Sequence, residues 1–287
     1  ALFAQDEIKL LRNLQALIGV RYIYHENFKN HATPNVALMY KPGKFNFRAS
    51  YAAGFRTPTL SELYATDIAK KNDRLTIGNL DLKPEKNNYF SLSAEYVHER
   101  FSVSVNAFYN NIRDMIDYNT IATGDKAMEQ YGHKEVRQRD NIAEAKVHGI
   151  NVSANAYLGA GFNLSGGYTH LNTQDVELEQ PIDKSIKNAY NINAQWAHSW
   201  KIYRLNINLN GRINSKRFSK SYGYAPEYQL WDLNTRHSFN LKSVIIEPGF
   251  GMENLFDYMD DRPYNSNYAT LTPGRSFYIS LSLKFKS

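Results

Sequence analysis

The side chains that could do chemistry in this chain include histidines and clustered carboxylates, and none of them matches a known catalytic motif. The sequence contains no His-Glu-x-x-His, no Gly-x-Ser-x-Gly and no phosphate-binding glycine loop. Asp257, Asp260 and Asp261 could offer oxygen ligands to Ca²⁺, although aspartates also form turns. His170 and His237 have no acid–base partner at a supporting spacing. We therefore predict that the protein is not an enzyme, and we predict no resident cofactor or metal site.

Arginines and tyrosines in polar segments form a second group of candidates. A guanidinium binds anionic groups, and aromatic rings stack on flat ligands, so these segments suit an anionic, aromatic ligand. The tyrosines equally suit a boundary between water and lipid. The candidate binding residues are Arg56, Tyr64, Arg74, Tyr131, His133, Arg217, Tyr222 and Tyr224.

Apolar residues recur at every second position in the segments between these candidates. The clearest example is Tyr203, Leu205, Ile207, Leu209, Gly211 and Ile213, with arginines and asparagines between them. Successive side chains of a strand point to opposite faces, so each such segment predicts a strand with one apolar and one polar face. Several segments exceed the roughly 9–11 residues that a tilted strand needs to cross a bilayer.

The connections between these predicted strands alternate between short and long. The short ones lie near residues 12–13, 42–43, 99–100, 159–161, 199–201 and 242–243, and the main long ones lie near 55–83, 119–137, 172–186, 215–228 and 257–274. Outer-membrane barrels have short periplasmic turns and long external loops, whereas a β-sandwich has no reason for strict alternation. The pattern predicts an all-β, transmembrane, antiparallel β-barrel with its long loops outside the cell.

Composition agrees with this class and weakens others. No run of 18 or more apolar residues is present, and 21 Tyr and 15 Phe are suited to aromatic girdles. The net charge is +6, but lysines and arginines are scattered without a basic block, so we predict no nucleic-acid partner. Positive charge instead suits anionic lipid head groups or an anionic ligand.

We count about thirteen strands over residues 1–287. Bacterial single-chain barrels close with an even number, and an open edge in lipid would leave backbone groups unpaired. The count therefore predicts either a miscount by one or a chain that lacks earlier strands, and we expect the latter.

Two sequence boxes flank the first of the five main long connections. Ala49 to Leu60 reads Ala-Ser-Tyr-Ala-Ala-Gly-Phe-Arg-Thr-Pro-Thr-Leu, and Gly78 to Glu85 reads Gly-Asn-Leu-Asp-Leu-Lys-Pro-Glu. Together with Ala4-Gln5-Asp6-Glu7 and with Glu253-Asn254-Leu255-Phe256-Asp257, they resemble the TonB-dependent outer-membrane receptors. The resemblance covers nearly the whole chain.

The resemblance implies a location in the bacterial outer membrane and part of a 22-stranded barrel around a plug. It also implies energy from the TonB-ExbB-ExbD complex, reached through the plug, which lies outside this sequence. The implied ligand is an extracellular metal complex containing iron or cobalt: a siderophore, less readily haem because residues 59–77 lack histidine, or cobalamin. Outer-membrane lipids and a surface lipoprotein are the further partners considered. The alternatives left open are a passive channel, an adhesin or a secretion pore without TonB coupling.

Overall fold

Thirteen long strands among the described residues form one continuous sheet. The computed structural model describes residues 1–219, 222–260, 270 and 272–286, with the backbone alone at 142 and 143. The long strands are β1 (Leu2–Leu11), β2 (Leu14–His25), β3 (Lys29–Tyr40), β4 (Phe45–Arg56), β7 (Glu85–Val97), β8 (Phe101–Thr123), β9 (Glu135–Gly159), β10 (Phe162–Asp175), β11 (Asn188–Trp200), β12 (Tyr203–Asn214), β15 (Tyr228–Asn240), β16 (Val244–Glu253) and β17 (Ser276–Phe285). We call this sheet the wall, and its strand count agrees with the sequence prediction.

The wall is a meander in which each long strand pairs with the next one along the chain. All twelve pairings are antiparallel, and the order is β1-β2-β3-β4-β7-β8-β9-β10-β11-β12-β15-β16-β17. Such neighbour-to-neighbour pairing follows from hairpin connections, which place consecutive strands side by side. Within the described ranges, no helix is long and apolar enough to cross a membrane.

Six short turns lie together at one end of the wall, which we call the short-turn end. Five of them fall where the sequence indicates, and the sixth comes slightly later because β11 continues to Trp200 and turns at Lys201 and Ile202. Lys201 and Ala160 adopt positive φ in their turns, as do Gly159 and Gly161. At Gly161 a side chain would meet the carbonyl oxygen of Ala197, so the close approach of the next strand requires glycine there.

The opposite end carries the long connections, which contain secondary structure of their own. These elements are α1 (Leu60–Tyr64), β5 (Thr66–Ala69), β6 (Arg74–Ile77), α2 (Gly124–Tyr131), β13 (Arg217–Ser219) and β14 (Gly223–Ala225). The connection predicted at 119–137 is shorter than expected, because β8 and β9 pair up to Thr123 and Glu135. Most of the connection near 257–274, including Asp261, lies outside the described residues.

The polar face of the wall is held by a network of side-chain hydrogen bonds between neighbouring strands. The Nδ2 of Asn193 donates to the Oδ1 atoms of Asn208 and Asn210, both at 2.6 Å. The hydroxyls of Ser50 and Ser91 lie 2.6 Å apart. Because amide and hydroxyl groups are hydrophilic, this face can line an aqueous lumen.

Within the described residues, no part of the chain covers the apolar face. Its strands expose large apolar side chains along their whole length, and the exposed fraction reaches 84% for Ile279. The two clusters of buried apolar residues found in the described part of the chain lie at the long-connection end, where the connections pack on Ile116 of β8 and Val136 of β9. A face of this extent is stable only beside another apolar medium, which indicates that it contacts lipid hydrocarbon.

Gly211 interrupts the apolar register of β12, and the structure gives the reason. The ring of Trp231 on β15 lies over it, so that a Cβ at this position would come within 2.5 Å of the ring. A glycine here lets the large indole lie flat against the neighbouring strand.

Candidate ligand-binding loops

Arg56 ends β4 and is clamped by two carboxylates. Its Nε and Nη2 donate to Glu85 at 2.8 and 2.6 Å, and its Nη1 and Nη2 donate to Glu62 at 2.9 and 3.1 Å. These paired contacts match the fork of a guanidinium to each carboxylate. The clamp joins both shoulders of the 55–83 connection, since Glu85 begins β7 and Glu62 lies in α1.

Helix α1 begins with a capping box. The Oγ1 of Thr59 accepts a hydrogen bond from the backbone N–H of Glu62, and the carboxylate of Glu62 accepts one from the N–H of Thr59 at 2.8 Å. Partial burial raises the pKa of Glu62, but the hydrogen bonds from Arg56 and Thr59 outweigh it, so the pKa is lowered overall. Glu62 therefore stays ionised at neutral pH and can serve the helix and Arg56 together.

Tyr64 is presented to solvent by the other side of this helix. Its side chain is 62% exposed, while the preceding Leu63 is buried with Leu82 and Ile116. Gly78 lies against the helix, where a Cβ would come within 2.5 Å of the carbonyl oxygen of Leu63. The helix is therefore fixed in place, and Tyr64 is held in an outward position.

The hairpin β5–β6 is packed onto the tall hairpin β8–β9. Strand β6 pairs in parallel with β9, with Arg74 opposite Glu135 and Ile77 opposite Gln138. Leu75, Ala127 and Val136 are buried between them, and Tyr131 packs on this cluster. Two connections that are distant in sequence thus form one rigid unit.

His133 closes the same unit through a hydrogen bond with a residue of the β5–β6 turn. Its Nδ1 lies 2.8 Å from Oδ1 of Asp73. The hydrogen bond from His133 is the main cause of a lowered pKa at Asp73. Arg74, the next residue, has a buried Nε that has no hydrogen-bond partner in the described part of the chain.

Two further residues of this unit were missed by the sequence analysis. The guanidinium carbon of Arg139 lies 3.6 Å from the ring centroid of Tyr118, a cation–π contact between β8 and β9. Both fall at or beyond the limits predicted for the 119–137 connection. If the sequence analysis had extended the strand pattern past these limits, it would have placed both residues on the β8–β9 hairpin.

The residues Arg217, Tyr222 and Tyr224 belong to a separate hairpin, β13–β14. The rings of Phe218 and Tyr224 are in contact at 5.3 Å, and Tyr222 and Tyr224 are 59% and 60% exposed. Backbone hydrogen bonds tie Phe218 to Lys184 and Ser185, in the connection that follows β10. The structure therefore places the eight predicted residues in three groups: Arg56 and Tyr64; Arg74, Tyr131 and His133; and Arg217, Tyr222 and Tyr224.

His25 and His31, on either side of the β2–β3 turn, each have a partner nearby. The ring of His31 stacks on Phe55 and its Nε2 lies 2.8 Å from the carbonyl oxygen of Phe28. The Nδ1 of His25 accepts a hydrogen bond from the N–H of Asn27. Within the described residues, no group of three His, Asp or Glu side chains is placed to hold a metal ion.

The arrangement of a lipid-facing wall with structured loops at one end matches a known family. A family model described as TonB dependent receptor-like, beta-barrel, matches residues 1–255. The chain belongs to this family. TonB-dependent receptors are transporters rather than enzymes, so the predicted absence of catalysis and the resemblance seen in the sequence are confirmed.

Several solved structures share the fold. A mutant of the ferric enterobactin receptor PfeA from Pseudomonas aeruginosa matches with a TM-score of 0.77 and 20% identity, over 99% of this chain and 44% of that one. The siderophore receptor PirA from Pseudomonas aeruginosa matches with a TM-score of 0.73 and 17% identity, over 99% of this chain and 48% of that one. The copper transporter OprC matches with a TM-score of 0.73 and 13% identity, over 99% of this chain and 47% of that one. The chain spans less than half of the length of each of these proteins, so its wall corresponds to part of their barrel.

Proposed function

We propose that this chain is the wall and loop region of an outer-membrane receptor that imports a ferric siderophore by TonB-dependent transport. Family membership supports the transport class and the outer-membrane location. Two of the structural neighbours are a ferric enterobactin receptor and a siderophore receptor. On this proposal the long connections face outwards, the short turns face the periplasm, and the TonB-ExbB-ExbD complex supplies the energy.

The observation that carries the choice of ligand is the Arg139–Tyr118 pair on a rigid loop unit. A guanidinium above an aromatic ring offers both a cation and a stacking surface, which an anionic, aromatic chelate can use. Arg74 lies on β6 of the same unit, with a buried Nε donor that has no partner there. Haem is less suited, because residues 59–77 of the first long connection contain no histidine that could bind its iron.

The test is ligand binding by the full-length protein in detergent. We expect quenching of tryptophan fluorescence by a ferric catecholate chelate at lower concentration than by haem or cyanocobalamin. Arg139→Ala should weaken chelate binding about tenfold, which corresponds to about 1.4 kcal/mol and lies within the range of a desolvated cation–π contact. Arg12→Ala, at the opposite end of the wall, is the matched control and should bind as the wild type does.

Two results would contradict the proposal. One is tighter binding of haem or cyanocobalamin than of any ferric chelate, with Arg139→Ala neutral. The other is a steady ion conductance of the full-length protein in a planar bilayer without ligand, which would favour a passive channel.

A further inference from the structure

The six short turns form one continuous rim along the wall. Each turn is joined by a backbone hydrogen bond to the next turn or to the strand that leads into it, for example from the N–H of Lys41 to the oxygen of Asn13 at 2.8 Å and from the N–H of Asn240 to the oxygen of Ile202 at 2.7 Å. The remaining links join Val97 to Lys44, Tyr157 to Arg100, Ala197 to Gly161 and Lys286 to Ser243. Residues on different turns therefore keep fixed positions along this rim.

The rim is strongly basic. Six exposed lysines and arginines lie on it, whereas Glu99 is the one carboxylate in the six turns. We call these six residues the basic rim: Arg12, Lys41, Lys44, Arg100, Lys201 and Lys242. Within the described part of the chain, none of the six forms an ion pair with a carboxylate of this protein. Lys286 lies at the same end, but its Nζ donates to Oδ1 of Asn240 and to the carbonyl oxygen of Leu241.

The charge is not a general property of the surface. Residues 57–84, the longest connection at the other end, contain four acidic and four basic residues. Cations of the long-connection end also pair with carboxylates of the same end, as in Arg56 with Glu62 and Arg137 with Glu135. The excess of unpaired positive charge is therefore concentrated where the strands turn back.

An aromatic belt runs along the apolar face beside the basic rim. Ring contacts follow one another along neighbouring strands, including Phe45 with Tyr96 at 4.9 Å, Trp200 with Tyr203 at 5.5 Å and Tyr203 with Phe239 at 5.1 Å. The belt comprises Tyr40, Phe45, Phe47, Tyr96, Phe101, Phe162, Trp196, Trp200, Tyr203 and Phe239. Tyrosine and tryptophan rings in such a belt mark the level of the lipid head groups.

From this geometry we infer that the basic rim binds the head groups of anionic phospholipids in the leaflet at the short-turn end. The belt sets the depth of the wall in the bilayer, so the basic side chains lie within a few residues of the phosphate layer. Long lysine and arginine stems can lie along apolar surface while the charged end meets water and phosphate. Exposed apolar residues within the turns, such as Ile202 and Leu241, favour the same interfacial position.

Charge complementarity favours phospholipids over a soluble polyanion as the occupant. Each lysine near an anionic membrane surface gains attraction that falls off within a Debye length. A soluble polyanion would bind the lysines and arginines but would not contact the adjoining aromatic belt, whereas a phospholipid would contact both. The inference concerns lipid contact alone and does not depend on which nutrient the receptor carries.

The test compares lipids retained by the full-length protein in native mass spectrometry. We expect phosphatidylglycerol to be retained at least tenfold more readily than phosphatidylcholine with the same acyl chains. A variant with Lys41→Gln, Lys44→Gln, Lys201→Gln and Lys242→Gln should retain the two lipids almost equally. The matched control changes the same number of exposed lysines at the other end, by Lys70→Gln, Lys71→Gln, Lys126→Gln and Lys216→Gln, and should keep the wild-type preference.

If the rim variant does not insert into the membrane, a salt titration of the wild type still tests the lipid-binding inference. The preference for phosphatidylglycerol should fall as sodium chloride rises from 50 to 500 mM (roughly threefold shorter screening length). Equal retention of both lipids by the wild type, a preference that salt does not change, or equal losses in the rim and control variants would each overturn the inference. Loss of lipopolysaccharide instead of phosphatidylglycerol in the rim variant would also overturn it.

Discussion

Arg56 illustrates what a residue type can and cannot predict. Its place in a polar segment made it a candidate for ligand binding, and that prediction still awaits a test. In the structure its guanidinium is shared between Glu62 and Glu85, which neutralise its charge. Sequence alone could not reveal this clamp, because Arg56 and Glu85 lie 29 positions apart and meet only when β4 pairs with β7.

Replacement of Arg56 by lysine should loosen helix α1 while preserving the charge. Lysine cannot make the paired contacts to both carboxylates, and because Arg56 is partly exposed we expect a loss of only about 1 kcal/mol. Hydrogen exchange at residues 60–65 of the full-length protein should then be about fivefold faster.

The matched control for this change is Arg48→Lys on the same strand. Arg48 is exposed, and its Nη2 contacts the sulfur of Met39 rather than a carboxylate. It should leave exchange in α1 unchanged. Equal protection of α1 in the Arg56→Lys variant and the wild type would show that the clamp does not hold the helix.

At the level of elements, sequence predicts the wall better than the loops. Alternation over ten or more residues defines each long strand, and short turns fix which strands are neighbours. Elements β5, β6, α1 and α2 have four to eight residues each, too few for a clear period. The parallel pairing of β6 with β9 joins segments about sixty residues apart, and no local pattern indicates it.

The packing of β6 on β9 depends on Val136, which is fully buried. Val136→Ala removes buried apolar volume and should destabilise this docking by about 2 kcal/mol. Hydrogen exchange at residues 74–77 should become up to about thirtyfold faster, with the wall strands unaffected. Ile121→Ala on the exposed side of β8 is the control and should leave these residues protected. Unchanged exchange in Val136→Ala would mean that another contact holds the two hairpins together.

For the whole molecule, the decisive property is that no described part of the chain covers the apolar face, while side chains of the polar face form hydrogen bonds across neighbouring strands. The number of strands, their order and the medium around them all follow from the two-residue period together with the alternation of short and long connections. The identity of the ligand does not follow from either, because it depends on side chains that three separate loop groups present.

Proteolysis of intact cells tests the proposed orientation. Trypsin should cut the full-length receptor after Lys70 or Lys71, which are exposed in the turn between β5 and β6, because we propose that this turn faces outwards. It should spare Lys242 until the outer membrane is permeabilised, when cleavage there serves as the control. Cleavage at Lys242 in intact cells together with protection at Lys70 would reverse the assignment.

The bulge in the tallest hairpin has a consequence for how such a receptor can vary. Pairing of β8 with β9 is regular from Phe101 up to Ile112, then shifts around Met115, where Asp114 takes a positive φ and Asn141 donates to its carbonyl oxygen. A bulge absorbs an added residue locally, so the residues between Phe101 and Ile112 keep their side chains on the same faces of the sheet. The register shift therefore separates two parts of the hairpin. The part beyond Met115 can be lengthened, shortened or exchanged during evolution, while the wall strands before it keep their pairing.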